Sequence, residues 1–345
     1  MLSLKRVDFW LFIPACILTF LGTLVLASVS ASDFPEQFFH LFLAFVVFFI
    51  FASIDVSFWR GFAPLMYGFS VFLLGATFLL GSLTRGSVRW ISFGPFNLQA
   101  SEIIKPILVV FFSWIVARGE RNRFLYALLF GLPILFLILI QPDLGSAIVI
   151  GAGTIGVIFL GGVSLRLIIG LAVLFAAVLP LFWRFLVDYQ KDRILSFLNP
   201  SLDPLGAGYN VLQSIIAVGS GGLWGRGLGQ GTQSQLAFLP ERHTDFIFAA
   251  LGEELGFLGS VVVILCFMVI LARIIFKASY LKDTFERSVL GGIFFVLFVQ
   301  TVVNVGMNMG VLPITGVPLP FVSSGGSSLL AMSALLGMAS SIAKR

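Results

Sequence analysis

Apolar side chains run along this chain in long, nearly unbroken blocks, without the two-residue alternation of a half-buried strand or the three-to-four spacing of a surface helix. Ten blocks stand out, at residues 9–29, 38–53, 62–81, 101–116, 124–140, 144–162, 167–187, 255–276, 289–310 and 329–343. A helix needs about 20 apolar residues to cross a hydrocarbon core, so the blocks predict membrane-spanning helices. A spanning β-barrel would show alternating segments about ten residues long; the sequence shows no such series. The expected fold is an all-α polytopic membrane protein of about ten transmembrane helices, forming a single domain over residues 1–345. The first block lacks a small-residue cleavage site and is expected to remain as a span.

Composition agrees and adds an orientation. With 59% hydrophobic residues and 39 phenylalanines, the chain carries more apolar surface than a soluble domain buries. The net charge of +5 is spread along the loops, which makes it a topology signal, and no nucleic-acid partner is expected. With ten spans both termini share a side, and thirteen of the 21 Lys and Arg residues fall there. Seven fall on the other side, five of them in or beside one long loop, which the charge rule largely exempts. Both termini are therefore expected in the cytoplasm, with the loops at 82–100 and 188–245 outside. The second of these, between spans seven and eight, is too long for a simple connection and lacks the composition of disorder. Cys16 and Cys266 lie inside apolar blocks, so neither a disulfide nor a cysteine metal site is expected.

Only 11% of residues are charged, so each placement carries information. Residues 239–256, LPERHTDFIFAALGEELG, gather Glu241, Arg242, His243, Asp245, Glu253 and Glu254 just ahead of a span, where ionisable groups mark function. Asp245 has His243, Thr244 and Arg242 to polarise it and Phe246, Ile247 and Phe248 to desolvate it. Desolvation raises a carboxylate pKa and a nearby guanidinium lowers it, a balance that suits a general base. A Thr-Asp pair before an apolar run is equally a helix cap. Glu102 and Lys105, three residues apart on one face of the fourth span, have to pair or face a cavity. Asp143, in Gln141-Pro142-Asp143-Leu144-Gly145, reads first as the cap of the sixth span and second as a site residue.

Gln300, Asn304 and Asn308 line one side of the ninth span, as amides that hydrogen-bond between helices do. Pro313, Pro318 and Pro320, followed by Ser323, Ser324 and Gly325, predict irregular backbone at membrane depth, which is tolerated only when buried or lining a cavity. In the long loop, residues 209–219 predict an amphipathic helix lying along an interface, with Gln213 and Ser214 among its polar positions, as an ordered lid. The glycines of 219–231 predict a hinge for it. That run lacks the Lys-Ser/Thr of a phosphate loop. His40 stands alone, and His243 has no partner ligands for zinc.

On the outer face no nucleotide cofactor is at hand, so a transferase there needs a donor already activated on a lipid. A lipid pyrophosphate leaves without protonation. The protein then supplies a base for the acceptor hydroxyl and positive charge for the pyrophosphate, from Arg242, Lys105, Arg226 or a divalent cation such as magnesium or manganese. Glu241, four residues before Asp245, keeps a two-carboxylate glycosidase reading open.

Residues 197–256 closely resemble the SEDS family of shape, elongation, division and sporulation proteins. So do Arg89-Trp90-Ile91, Ser101-Glu102 with Lys105, the QPDLG run from Gln141, and GVPLPFVSSGGSS from Gly316, in the expected order across nearly the whole chain. Arg242 and GVPLP look closer to the elongation branch than to the division branch. Ala100 stands where the family usually has Pro, and Ser324 where Tyr is common. The resemblance implies a peptidoglycan glycosyltransferase of the bacterial cytoplasmic membrane, polymerising lipid II into a nascent glycan strand on the outer face. It also implies that Asp245 is catalytic and that a class B penicillin-binding protein is the partner. The candidates for substrate contact are Glu102, Lys105, Asp143, Gln213, Arg242, His243, Thr244, Ser323 and Ser324. A flippase for the lipid-linked precursor would use Glu102, Lys105 and Asp143 as readily, and a scaffold recruiting a transpeptidase is a third class. A base at Asp245 fits only chemistry.

Overall fold

The computed structural model describes the chain except residues 1–6, 33, 85–86, 94–95, 120–121, 165, 167–169, 171–172, 174–183, 185–187, 200–205, 237 and 345. Its helices are α1 (Phe9–Val29), α2 (Phe34–Ser53), α3 (Val56–Leu80), α4 (Ala100–Ala117), α5 (Arg123–Ile140), α6 (Leu144–Leu160), α7 (Asp188–Leu198), α8 (Ala207–Ser220), α9 (Thr232–Gln235), α10 (Ile247–Tyr280), α11 (Thr284–Asn308) and α12 (Gly326–Ala343). Eight of them are long and apolar enough to cross a membrane, and α6 is a shorter apolar helix. Nine of the ten expected spans coincide with these helices. The span expected at 167–187 falls largely outside the described residues.

The apolar blocks sort into inner and outer helices. In α4 and α12, 78% and 89% of the apolar window is buried, against 17% in α2 and α5. The outer helices instead present Phe38, Phe42, Phe45, Phe136 and their neighbours outward. Small residues let the inner helices touch backbone to backbone. A Cβ on Gly156 would lie 2.4 Å from the Gly291 carbonyl, and one on Gly291 would lie 2.4 Å from the Gly156 carbonyl, so α6 and α11 cross in direct contact.

The start of α1 and the end of α12 lie at one end of this bundle. Asp8 caps α1 by accepting the Trp10 amide at 3.0 Å, its own amide donates to Ser340 Oγ at 2.8 Å, and its Oδ2 receives Arg273 Nε and Nη2 at 3.0 and 2.8 Å. The charged span-245 region lies at the other end, where Arg242 Nε donates to the carbonyl of Val29, the last residue of α1.

The loop expected at 82–100 carries the small amount of strand among the described residues. It forms an antiparallel sheet, β1 (Ser82–Thr84), β2 (Ser87–Phe93) and β3 (Phe96–Gln99), with Trp90 opposite Gln99 and Ile91 opposite Leu98. The β-branched and aromatic run Val88, Trp90, Ile91 and Phe93 favours the pleat. Gln99 N donates to Ser327 Oγ and Arg89 to the carbonyls of Gln141 and Pro142, which fasten the sheet to the site end of the bundle.

The glycines of 219–231 do not form the expected hinge. A Cβ on Gly221 would stand 1.9 Å from the Gly252 carbonyl, and one on Gly225 would stand 2.1 Å from the Glu254 carbonyl. They are glycines because α10 passes against them. The amides of Arg226 and Gly227 donate to the carbonyls of Glu253 and Glu254. In return, Gly256 takes φ 68° and ψ −163°, breaking α10, and the amides of Phe257 and Leu258 donate to Gly222 and Leu223. The Glu253 carboxylate accepts the amides of Gln233 and Ser234 at 2.8 and 2.9 Å, and Glu254 Oε1 accepts from Ser28 Oγ, Gly229 N and Gln235 Nε2. The two glutamates therefore hold the loop to α10.

Gly221→Ala is expected to lower the thermal stability of the detergent-solubilised protein by an overpacking cost of about 1–3 kcal/mol. Gly219→Ala, two residues away with nothing within 4 Å of the added carbon, is expected to stabilise α8 by roughly 0.5–1 kcal/mol. Thermal unfolding of the two variants separates a packed seam from a hinge, since a hinge would tolerate or reject both alike.

Candidate active site

The site is built from the polar face of α11. Gln300, Asn304 and Asn308 are fully buried there, and buried amides are costly unless every group is paired. Asn304 Nδ2 donates to the carbonyls of Asp245 (3.0 Å) and Val317 (2.8 Å). Asn308 Nδ2 donates to the same Asp245 carbonyl at 3.0 Å, while its Oδ1 accepts the amide of Ala249 at 3.0 Å. Ala249 lies in the first turn of α10, whose N-cap is Phe246 with no side-chain cap bond of its own. Asn308 thus satisfies an amide at the helix start from across the bundle.

The residues before Asp245 are held the same way. Ser323 Oγ donates to the Thr244 carbonyl at 2.7 Å, and Ser324 donates its hydroxyl and its amide to the His243 carbonyl at 2.8 and 3.0 Å. Ser323 also accepts the Leu319 amide at 2.8 Å, so the 313–328 turn and the 243–245 segment brace one another. The two serines act on backbone. Thr244 Oγ1 donates to Glu241 Oε2 at 3.2 Å, which engages Glu241 beside the strained backbone at its φ of 49°.

The side chain of Asp245 is partly exposed and faces Gly316. A Cβ on that glycine would lie 3.4 Å from Asp245 Oδ2 and 3.9 Å from Arg193 Nη1, so carboxylate and guanidinium face the same glycine. Gly316 has a φ of 74°, a conformation that glycine adopts without strain. Arg193 comes from α7 and also donates to the Ile314 carbonyl at 3.5 Å. The cation expected beside Asp245 was Arg242, its neighbour in sequence, but Arg242 is committed to Val29. Arg226 lies on the outside of the loop, with Nε on the Ser220 carbonyl.

Glu102 and Lys105 pair as expected, at 2.6 Å, and both are sealed inside the bundle. Lys105 Nζ also donates to Gln300 Oε1 at 3.1 Å, and Gln300 Nε2 donates to the Pro318 carbonyl at 3.0 Å. The charged pair therefore reaches the turn that carries Gly316. Glu102 Oε2 makes no hydrogen bond among the described residues.

Asp143 caps α6, with Oδ1 accepting the Ser146 amide at 3.1 Å, and its Oδ2 accepts from Gln99 Nε2 and Ser101 Oγ. The expected loop helix is α8, with one correction to its faces. Ser214, read as facing substrate, is buried and donates to the Asn308 carbonyl at 2.7 Å, while Leu212, Ile215 and Ile216 point outward. Val211 and Ala217 complete the packed face, so the burial follows helical geometry over simple polarity. Gln213 is partly exposed. Among the described residues no three His, Cys, Asp or Glu side chains gather into a metal cage.

These features define an integral membrane protein with a carboxylate, Asp245, whose backbone is clamped at one end of a helical bundle. Residues 8–345 match the family of FtsW, RodA and SpoVE, described as cell cycle proteins, and the chain belongs to that family. It is 41% identical over 330 residues to the peptidoglycan glycosyltransferase MrdB of Escherichia coli K12, covering 93% of this chain and 89% of that protein. A probable peptidoglycan glycosyltransferase FtsW of Saccharophagus degradans is 37% identical over 357 residues, covering 97% and 92%. Among solved structures, the rod shape determining protein RodA of Thermus thermophilus matches with a TM-score of 0.74 at 28% identity, covering 98% and 96%. A chain from work on the structural coordination of polymerization and crosslinking by a peptidoglycan synthase complex matches with a TM-score of 0.83 at 33% identity, covering 98% and 97%.

Asn304→Ala and Asn308→Ala each leave the Asp245 carbonyl one donor. Each is expected to cost about 1–3 kcal/mol in thermal stability, and the double variant more than the sum, because it leaves the shared Asp245 carbonyl with neither donor. Lys105→Met strands a buried carboxylate and is expected to cost about 3–5 kcal/mol. Adding Glu102→Gln should restore most of that stability. Activity that returns with stability in the double variant marks the pair as structural, and activity that stays lost marks Lys105 as a substrate contact.

Proposed function

We propose that this protein is a peptidoglycan glycosyltransferase that polymerises lipid II on the outer face of the bacterial cytoplasmic membrane, in cell elongation. The observation that carries the reading is Asp245. Its backbone is clamped from α11 and from the 313–328 turn, while its carboxylate is left facing a guanidinium across Gly316. Asp245 takes the proton from the acceptor sugar hydroxyl as that oxygen bonds to the anomeric carbon of the donor. The bond from that carbon to the lipid pyrophosphate breaks, and Arg193 stabilises the charge that develops on the departing oxygen.

Further observations favour this reading. The named relatives are peptidoglycan glycosyltransferases. The start of α1 and the end of α12 lie at the end of the bundle away from Asp245, and the excess of Lys and Arg on that side favours a cytoplasmic position for it and an outer position for Asp245. Between α1 and α2 opens an apolar cleft of about 880 Å³, lined by Phe12, Phe20, Phe45 and Phe48 and reaching Ser28, Gly229 and Phe321 at the site end. Those last residues adjoin Val29 and Ser323, which contact the Asp245 segment, so a polyisoprenoid chain in the cleft would deliver its pyrophosphate toward Asp245. The Asp245 carboxylate would hold a divalent cation such as magnesium or manganese together with substrate phosphates, and the ion would supply positive charge for the departing pyrophosphate. Such ions are commonly held by one or two carboxylates plus substrate phosphates. A class B penicillin-binding protein crosslinking the product fits the synthase complex that this chain resembles.

Purified protein with lipid II and its partner, scored for glycan polymer, tests the assignment. Asp245→Asn is expected to lower the rate by about 10²–10⁴-fold without loss of folding. Arg193→Gln should lower the turnover number more than it raises KM, and Glu241→Gln should leave most of the activity. Near-normal polymer from folded Asp245→Asn would rule the base out.

A further inference from the structure

The turn that follows α8 ends in two residues that no part of the site uses. Leu223 is 65% exposed and Trp224 80% exposed, although a Trp side chain offers a large apolar body and one donor. The turn is held rigidly. Gly222, Gly225 and Gly227 take positive φ values of 56°, 84° and 97°, and the Gly225 amide donates to Gly221 O at 2.8 Å. Its height along the bundle is fixed as well, because the carbonyls of Gly222 and Leu223 accept the amides of Phe257 and Leu258 at 2.9 and 3.2 Å.

That level is where α10 changes character. From Ile247 to Glu254 the helix is buried on all sides. From Phe257 onward it exposes Phe257, Leu258, Val262, Leu265 and Met268, the lipid-facing surface of a span. Leu223 and Trp224 continue this surface at its upper edge. Arg226, exposed two residues further on, has Nε on the Ser220 carbonyl and its remaining guanidinium nitrogens directed outside the loop.

An indole and a leucine at the boundary of a span, with a guanidinium beside them, match the chemistry of the headgroup region, where Trp is enriched and Arg meets phosphate. We propose that residues 222–227 are a membrane-interface anchor: Leu223 and Trp224 insert among the headgroups and upper acyl chains of the adjoining leaflet, and Arg226 pairs with phospholipid phosphate. The leaflet then sets the height of the loop that Glu253 and Glu254 hold to α10. The anchor stands whatever reaction the site performs.

The test uses full-length protein in nanodiscs of phosphatidylglycerol and phosphatidylethanolamine. The emission difference between wild type and Trp224→Phe isolates Trp224 from the remaining tryptophans. Insertion predicts that this difference is quenched severalfold more by lipids brominated high on the acyl chain than by lipids brominated near its end, and little by aqueous iodide. Quenching by iodide alone would show a tip in water, and resistance to every quencher would show a protein-covered docking face; either result overturns the anchor. If Trp224→Phe fails to fold, a nitroxide on Leu223→Cys, with Cys16 and Cys266 replaced by Ala, reads the same depth. Collision with oxygen exceeding that with a water-soluble nickel complex supports insertion, and the reverse overturns it.

Discussion

One amide side chain sets the register of the site. Asn308 donates to the Asp245 carbonyl and accepts the Ala249 amide, so it fixes the residue before a helix and the first turn of that helix together. A helix start needs acceptors for its leading amides, and Asp is among the residues that usually supply one from the N-cap. Here a neighbouring helix supplies one of them, at Ala249. The arrangement holds because Asn308 is fully buried, where an amide with any group unpaired is expensive and the paired geometry is strongly favoured.

The same constraint explains the turn from Gly316 to Ser328. Irregular backbone at membrane depth has no water to satisfy its carbonyls and amides, so side chains must do it. Gln300 and Asn304 donate to Pro318 and Val317, and Ser323 accepts from Leu319 while donating to Thr244. Gln300 is in turn oriented by Lys105, which the buried Glu102 holds in place. The ion pair thus acts at a distance. It orders a carboxamide, the carboxamide orders a carbonyl, and that carbonyl lies two residues from the glycine facing Asp245.

Much of this was legible in the sequence, for physical reasons. Apolar blocks long enough to span a bilayer need no periodicity to be recognised, and charge is so scarce that Asp245, Glu102, Lys105 and Asp143 stood out by position. What the sequence hid was pairing across distance. Arg242 was assigned to Asp245 because it is close in the chain, whereas the facing cation, Arg193, arrives on a helix far away in sequence; its signal was only that it is one of few charges in a long loop. Glycine misled in a second way. The run 219–231 reads as flexible because glycine permits many conformations, yet at Gly221 and Gly225 the missing Cβ makes room for a carbonyl of α10. Sequence does not distinguish those two uses. Ser214 failed for a related reason, since polarity suggested an outward face, but a buried hydroxyl with a backbone acceptor is equally stable.

The site separates holding from reacting. The donors that converge on residues 243–245 end on backbone carbonyls, and they come from Asn304, Asn308, Ser323 and Ser324 on the inner part of the bundle. None of these bonds involves the Asp245 carboxylate, so proton gain or loss there does not release the clamp. A base that changes charge in each cycle benefits from such a frame, because its position does not depend on its protonation state. The outer helices, rich in phenylalanine and free to meet lipid, contribute little to this frame. One clamp that extends into the long loop runs through Ser214 to the carbonyl of Asn308, and from the Asn308 amide to Asp245. Movement of α8 therefore has a direct mechanical route to the position of the Asp245 backbone.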